Sequence, residues 1–116
     1  MSLSIKQQKF SQDTVTLLLH AMEHGYRFTF GEAWRPQEMQ DLYLQQGKTT
    51  VKTSQHLHRL AIDINFFKPV GAKFELTYDK KDLQFLGDFW ESLDEKNRWG
   101  GNFVSFLDTP HFERRL

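Results

Sequence analysis

An α+β fold, a small antiparallel sheet covered by helices, is what this sequence of 116 residues predicts. Three observations carry the prediction. Apolar residues recur at three-and-four spacing in two long stretches, as on amphipathic helices. Leu60 to Phe67 alternates apolar and polar side chains as a half-buried strand does. The later strand candidates follow at hairpin-like distances, and no strand–helix–strand run supports a parallel sheet.

The first helix is expected from about Ser11 to His24, on the spacing of Val15, Leu18, Leu19 and Met22, with Gly25 as a left-handed stop. Tyr26 to Phe30 alternates as a strand, and Gly31 allows a bend after it. Pro36 fits the first turn of a second helix running to about Gln46 and closed by Gly47. Lys48 to Ser54 is polar, rich in threonine and without period, so it reads as a loop. In the strand from Leu60, the side chains of Leu60, Ile62, Ile64 and Phe66 share one face, and Ala61, Asp63 and Asn65 the other. Pro69 and Gly71 should end it, and Phe74 to Thr77 pairs back as a short hairpin partner. Asp79 caps a third helix over about Lys80 to Lys96, with Leu83, Leu86, Phe89, Trp90 and Leu93 as its buried stripe. Trp99-Gly100-Gly101 reads as a turn, and Thr109 to Glu113 as an extended end. Phe85, Phe103, Phe106 and Phe112 are assigned to the core along with Phe89 and Trp90, while Trp34 and Trp99 are candidate cleft walls.

The length suits one domain over residues 1–116, and no repeat or linker divides it. Fifteen Lys+Arg balance fifteen Asp+Glu, so no global field draws the chain to nucleic acid or to an anionic membrane. Cysteine is absent, which removes disulfides, thiolate nucleophiles and cysteine metal sites together. Any metal must therefore rest on His, Asp or Glu. No apolar run has the length of a signal peptide or a membrane span, so the chain is expected to be made soluble in the cytoplasm and to act as a monomer.

His56 precedes the clear strand, and Asp63 lies on that strand's polar face beside Ala61 and Asn65. A carboxylate on such a surface requires a cation or strong donors. On this pair alone, an Asp63–Arg59 ion pair with a surface His56 is the simpler reading. Asp108-Thr109-Pro110-His111 changes the balance, because it adds a second histidine in an extended, proline-stiffened context and a carboxylate three residues upstream. Two imidazoles and one carboxylate suit a zinc ion with one position open for water, and Asp108 is then the available base. The same donor set also forms the facial triad of non-haem iron. His58 would share a side with His56 on an extended segment, and His20 and His24 read as a solvated pair at a helix end.

These residues resemble the M15 zinc peptidases of peptidoglycan, which include VanX- and VanY-like D,D- and L,D-peptidases and phage endolysins. The first family motif is Ser-x-His-x-x-Gly-x-Ala-x-Asp, and Ser54, His56, Ala61 and Asp63 match it, with Arg59 in place of the glycine. Because arginine does not readily take a positive φ, the turn there is expected to use an ordinary conformation or to be reshaped. Asp108-Thr109-Pro110-His111-Phe112-Glu113 is similar to the second motif in its endolysin-like form, as is Trp99-Gly100-Gly101 ahead of it. Trp34-Arg35-Pro36 with Gln40 falls where the family carries a substrate-binding arginine.

The resemblance implies a Hedgehog/DD-peptidase-like fold, zinc held by His56, Asp63 and His111, Asp108 as general base, and Arg35 as the cation that orients substrate. Gln40 and Ser54 would assist at the substrate, Ser54 alternatively by structuring its loop. It further implies hydrolysis of peptidoglycan stem peptides between L-Ala and D-Glu by a phage or prophage lysin acting on the cell wall. A D-Ala-D-Ala carboxypeptidase or dipeptidase, and a module that binds zinc or wall fragments without turnover, are the alternatives.

Overall fold

The computed structural model describes residues 1–48 and 54–116. Helix α1 (Leu3–Glu23) starts where the Ser2 hydroxyl accepts the Ile5 N–H at 3.2 Å, two turns earlier than the apolar spacing predicts. It also turns a different face inward. Phe10, Asp13, Thr14, Leu17 and Ala21 are buried, while Val15, Leu19 and Met22 are more than half exposed. Two stripes of helical spacing run side by side on α1, and the partner decides between them. Phe10 meets the edge of Trp90 at 5.6 Å, and Asp13 is satisfied by Lys9 Nζ at 2.6 Å and Asn97 Nδ2 at 3.1 Å. Burying a charged residue is tolerable only with such partners, and apolar periodicity cannot reveal them.

Gly25, at φ +81°, ends α1 as expected and lets the chain enter β1 (Arg27–Phe30). Helix α2 (Gln37–Gln45) follows Pro36, which stands extended at the cap position and not inside the first turn. Gly47, at φ +73°, closes it. The loop expected over residues 48–54 falls mostly outside the described residues. A short 3-10 turn (Gln55–His58) then leads into the central strand.

That strand, β2 (Ala61–Val70), organises the sheet. β1 lies along one edge, with Phe30 opposite Ile64 and Arg27 opposite Phe67. Along the other edge β3 (Lys73–Thr77) faces Phe66 to Val70, and β5 (His111–Arg114) faces Ala61 to Asp63. β4 (Asn97–Trp99) pairs outside β5, and every pairing is antiparallel. β2 runs through Pro69 instead of ending there. Pairing with β1 has already stopped opposite Phe67, so a missing N–H is tolerated at that end. Gly71, at φ +60°, makes the hairpin turn.

Helix α3 (Lys80–Leu93) starts where the Asp79 carboxylate accepts the Lys81 N–H at 3.0 Å. It ends three residues before Lys96, because Asp94 turns extended and its carboxylate captures the Lys96 N–H at 2.8 Å. Leu83, Leu86 and Trp90 are buried as their spacing requires, with Phe89 and Leu93 partly so. β4 was not anticipated. Trp99 ends that strand fully buried, its indole N–H donating to the Thr109 carbonyl at 2.8 Å, so it is core and not a cleft wall. Phe103 and Phe106, both expected in the core, lie on the segment between β4 and β5 instead, Phe103 partly buried at the cleft wall and Phe106 47% exposed.

Phe112 links core to function. Its ring meets Phe66 and Trp90 edge-on, each at 5.9 Å, and burying such a side chain is worth about 2–3 kcal/mol. Because strand side chains alternate, Phe112 in the core sends His111 and Glu113 to the opposite face of β5. No described helix is long and apolar enough to cross a membrane.

Candidate metal centre

On that opposite face, His111 stands directly across from Asp63 in the β2–β5 register. The pairing puts His111 Nδ1 3.4 Å from Asp63 Oδ1. His56, delivered by the 3-10 turn, brings its Nε2 to 3.3 Å from the same oxygen. The imidazole rings of His56 and His111 lie 5.1 Å apart. The three side chains offer ligand atoms all within 4.8 Å of one another, and both histidines are buried. They are the three residues that the sequence motifs single out.

Whether they fit a metal is answered by the atoms between them. Asp63 Oδ1 is buried and, despite its two imidazole neighbours, makes no hydrogen bond of acceptable geometry among the described residues. A buried carboxylate oxygen without a donor is costly, and a cation held jointly with the two nitrogens removes that cost. His111 is prepared for it. Glu113 Oε1 lies 2.7 Å from His111 Nε2, so the carboxylate holds a proton on Nε2 and leaves Nδ1, on the Asp63 side, as the nitrogen that would bind a cation once its own proton is given up. An N2O donor set with a carboxylate behind one histidine suits zinc.

The protonation states respond to the same charges. Burial opposes a charge on His111, but Asp63 and Glu113 outweigh it and raise its pKa to about 9 in the absence of metal. Burial likewise pushes Asp63 up, yet the contacts to His111 and His56 prevail and hold it well below the usual carboxylate range. Both shifts say that the spot calls for positive charge. Asp108 behaves differently. Burial raises its pKa and the charge of Asp63 adds to the rise, against the pull of His111, His56 and Arg35. Its Oδ2 lies 4.0 Å from His111 Nδ1, at the rim of the centre with 37% of the side chain exposed.

Gly100 sets the distance between Asp108 and His111. The Asp108 N–H donates to the Gly100 carbonyl at 3.0 Å, and the His111 N–H to the Asp108 carbonyl at 3.1 Å. A Cβ on Gly100 would come to 2.0 Å from the Asp108 carbonyl oxygen and 2.9 Å from His111 Cβ. Only glycine permits that approach.

The other side of the centre is built from turns. Ser54 caps the 3-10 turn, its hydroxyl accepting the His56 N–H at 3.3 Å, and also lines the cleft. The turn closes at Arg59, which takes φ 58° and ψ 34°, the left-handed conformation that the substituted glycine would adopt. The expectation that arginine would avoid it is therefore corrected. The backbone keeps the glycine geometry, and the Arg59 guanidinium stacks 4.8 Å over the ring of the half-exposed Trp34. His58 is half-buried, outside the cleft wall.

Arg35 lines the cleft, and its N–H donates to the His56 carbonyl at 3.3 Å. Its guanidinium donates to Glu32 and to Gln40 Oε1 and sits 4.9 Å over the Tyr43 ring. Gln40 is fully buried behind Arg35 and off the cleft wall, so it reaches the cleft through Arg35. The cleft encloses about 730 Å³. Sequence reasoning missed Glu113, Glu32 and Tyr43. Glu113 was within reach, since the residue two along a strand from a candidate metal ligand shares its face; Glu32 and Tyr43 meet Arg35 only through the fold.

Residues 47–114 match the model of an M15 peptidase family described as D-alanyl-D-alanine carboxypeptidase. Among solved structures, the chain is similar to the L-Ala D-Glu endopeptidase ChiX of Serratia marcescens, with a TM-score of 0.66 at 18% identity, over 86% of this chain and 74% of that one. At that identity the likeness concerns the fold. No curated protein matches the sequence.

Proposed function

This chain belongs to the M15 peptidase family, and from that premise we propose that it is a zinc-dependent endopeptidase of peptidoglycan stem peptides, cutting between L-Ala and D-Glu. The observation that carries the metal is the unsatisfied Asp63 Oδ1 between two imidazole nitrogens, with Glu113 fixing His111. His56, Asp63 and His111 would hold the ion. A zinc ion there supplies a Lewis acid for the scissile carbonyl and acidifies water near neutral pH.

The chain's own residues supply the rest. Asp108, with its raised pKa, takes the proton of the attacking water and delivers it to the leaving amine. Arg35 holds fixed positive charge at the cleft wall where the substrate's carbonyl or carboxylate docks, and Glu32, Gln40 and Tyr43 hold Arg35. Ser54 keeps the His56 turn closed and offers its hydroxyl to the cleft. The L-Ala–D-Glu bond is supported by the form of the Asp108-to-Glu113 motif and by the fold shared with an endopeptidase of that specificity. A lytic role in a phage or prophage follows from the same motif likeness.

The family description favours a second reading, hydrolysis of D-Ala-D-Ala by the same centre. Incubating the zinc-loaded protein with purified peptidoglycan and reading the new ends by mass spectrometry separates the two: new D-Glu amino ends support the first, released D-Ala the second, and intact stem peptides overturn both. Asp108→Ala should lower turnover about 10²- to 10⁴-fold while zinc stays bound. Equal turnover by the two proteins would remove Asp108 as the base, and no turnover by either with zinc bound would mark a binding module without chemistry.

A further inference from the structure

We propose that Arg98 is a specificity-determining residue of this cleft, binding a carboxylate of an acidic peptide on the side of the metal centre away from Arg35. The inference rests on the peptidase reading of the cleft. It starts from how the cations of the wall are arranged. Arg35 and Lys48 both gather at the Tyr43 ring, 4.9 Å and 5.4 Å from its centroid. Arg98 stands at a different place, 4.8 Å over the ring of Phe103. That ring in turn lies 5.7 Å from the ring of His111. Phe103 thus separates the Arg98 guanidinium from the metal centre by one ring.

Arg98 sits on β4 directly opposite Glu113 in the β4–β5 register, which would ordinarily give it an ion-pair partner. Glu113 is committed elsewhere, its Oε1 held by His111 Nε2 at 2.7 Å. Among the described residues no carboxylate lies within 4.0 Å of the Arg98 guanidinium. The other cleft cation of comparable reach, Arg35, is engaged by Glu32. Arg98 is exposed and lines the cleft, steadied by an aromatic face that leaves its N–H edge open. A planar, uncommitted fork of N–H donors matches a carboxylate in two parallel hydrogen bonds. Between L-Ala and D-Glu, the D-Glu residue carries one carboxyl that the chain does not use. That group, next to the bond cut, is the ligand assigned to Arg98.

The test compares two stem pentapeptides that contain both the L-Ala–D-Glu and the D-Ala–D-Ala bonds and differ only in the unused D-Glu carboxyl, free in one and an amide in the other. The zinc-loaded wild type should prefer the free acid about fivefold in kcat/KM, through KM. Arg98→Gln should raise KM for the free acid about fivefold, leave kcat unchanged and erase the preference, while Arg98→Lys restores part of it. Equal use of the two peptides by the wild type, or a preference that survives Arg98→Gln, overturns the assignment and leaves the peptidase reading intact. Hydrolysis of neither peptide overturns the peptidase reading first and the assignment with it.

Discussion

Asp63 and His111 reach the candidate metal centre on strands that face each other in register, whereas His56 reaches it on a 3-10 turn and Arg35 on the irregular segment before α2. The strand-borne half is fixed by core packing. Phe112 cannot leave its cluster with Phe66 and Trp90 without moving His111 and Glu113 to the wrong face. The turn-borne half is fixed by local devices, namely the Ser54 cap, the left-handed Arg59 and the hydrogen bond from Arg35 N–H to the His56 carbonyl. One half therefore derives its precision from many long-range contacts, and the other from a few backbone conformations. Changes in the two halves should differ in kind as well as in size.

The largest effect is expected where the strand-borne half is tightest. Gly100→Ala drives a Cβ to 2.0 Å from the Asp108 carbonyl oxygen, and a backbone atom cannot swing aside as a side-chain end can. The cost should be about 3 kcal/mol or more, with the Asp108–His111 spacing lost together with stability. Urea unfolding and zinc titration of the same variant read both. A variant as stable as the wild type, binding zinc equally well, would show that the β4–β5 connection yields and that the two halves are alike.

The next effect is electrostatic and belongs to the metal-free protein. His111 is raised from 6.5 to about 9, so its contribution is fully present below pH 6.5 and is lost as pH rises through 9. Asp63 is lowered, so its contribution is present above its ordinary 3.8 and is lost as pH falls below that. With chelator present, stability should peak between about pH 4 and 6.5 and fall by on the order of 2–3 kcal/mol toward pH 9. Glu113→Gln removes one of the two charges that raise His111 and should flatten that fall. Zinc should reverse the trend, because a ligating His111 would have to give up its proton and affinity would then rise with pH. A metal-free protein equally stable at pH 5.5 and 9 would remove His111 from this account.

How legible each half was in the sequence follows the same division. The strand-borne half was readable, because the alternation from Leu60 to Phe66 put Asp63 on the polar face and the motif around Asp108 and His111 is compact. The Leu83–Leu86–Trp90 stripe and the caps at Gly25 and Asp79 were readable for the same reason, that each is set by neighbours in the chain. What could not be read depends on partners far along it. Asp13 is buried because Asn97 answers it, Trp99 because Gly87 and Gly101 leave room for its ring, and the inward face of α1 because Trp90 lies across it. Glu113 is the exception, since it shares the strand face of His111 two residues away and its place beside Nε2 follows from alternation alone.

The smallest effect tests the turn-borne half at Arg59. A left-handed residue other than glycine costs roughly 1–2 kcal/mol, because Cβ crowds the following carbonyl. Here the Trp34 ring under the guanidinium offsets part of that, such stacking being worth about 0.5–1 kcal/mol at an exposed site. Comparing Arg59→Ala with Arg59→Gly removes the stacking from both and leaves the backbone alone. Glycine usually makes a chain less stable than alanine does, since it has more freedom to lose. At φ 58° the order should invert, with Arg59→Gly the more stable of the two by about 1 kcal/mol in urea unfolding. Zinc affinity should follow the same order, since this turn carries His56. If alanine proves the better residue, the turn relaxes out of the left-handed region once arginine leaves, and it is Trp34 stacking, not backbone geometry inherited with the motif, that sets the position of His56.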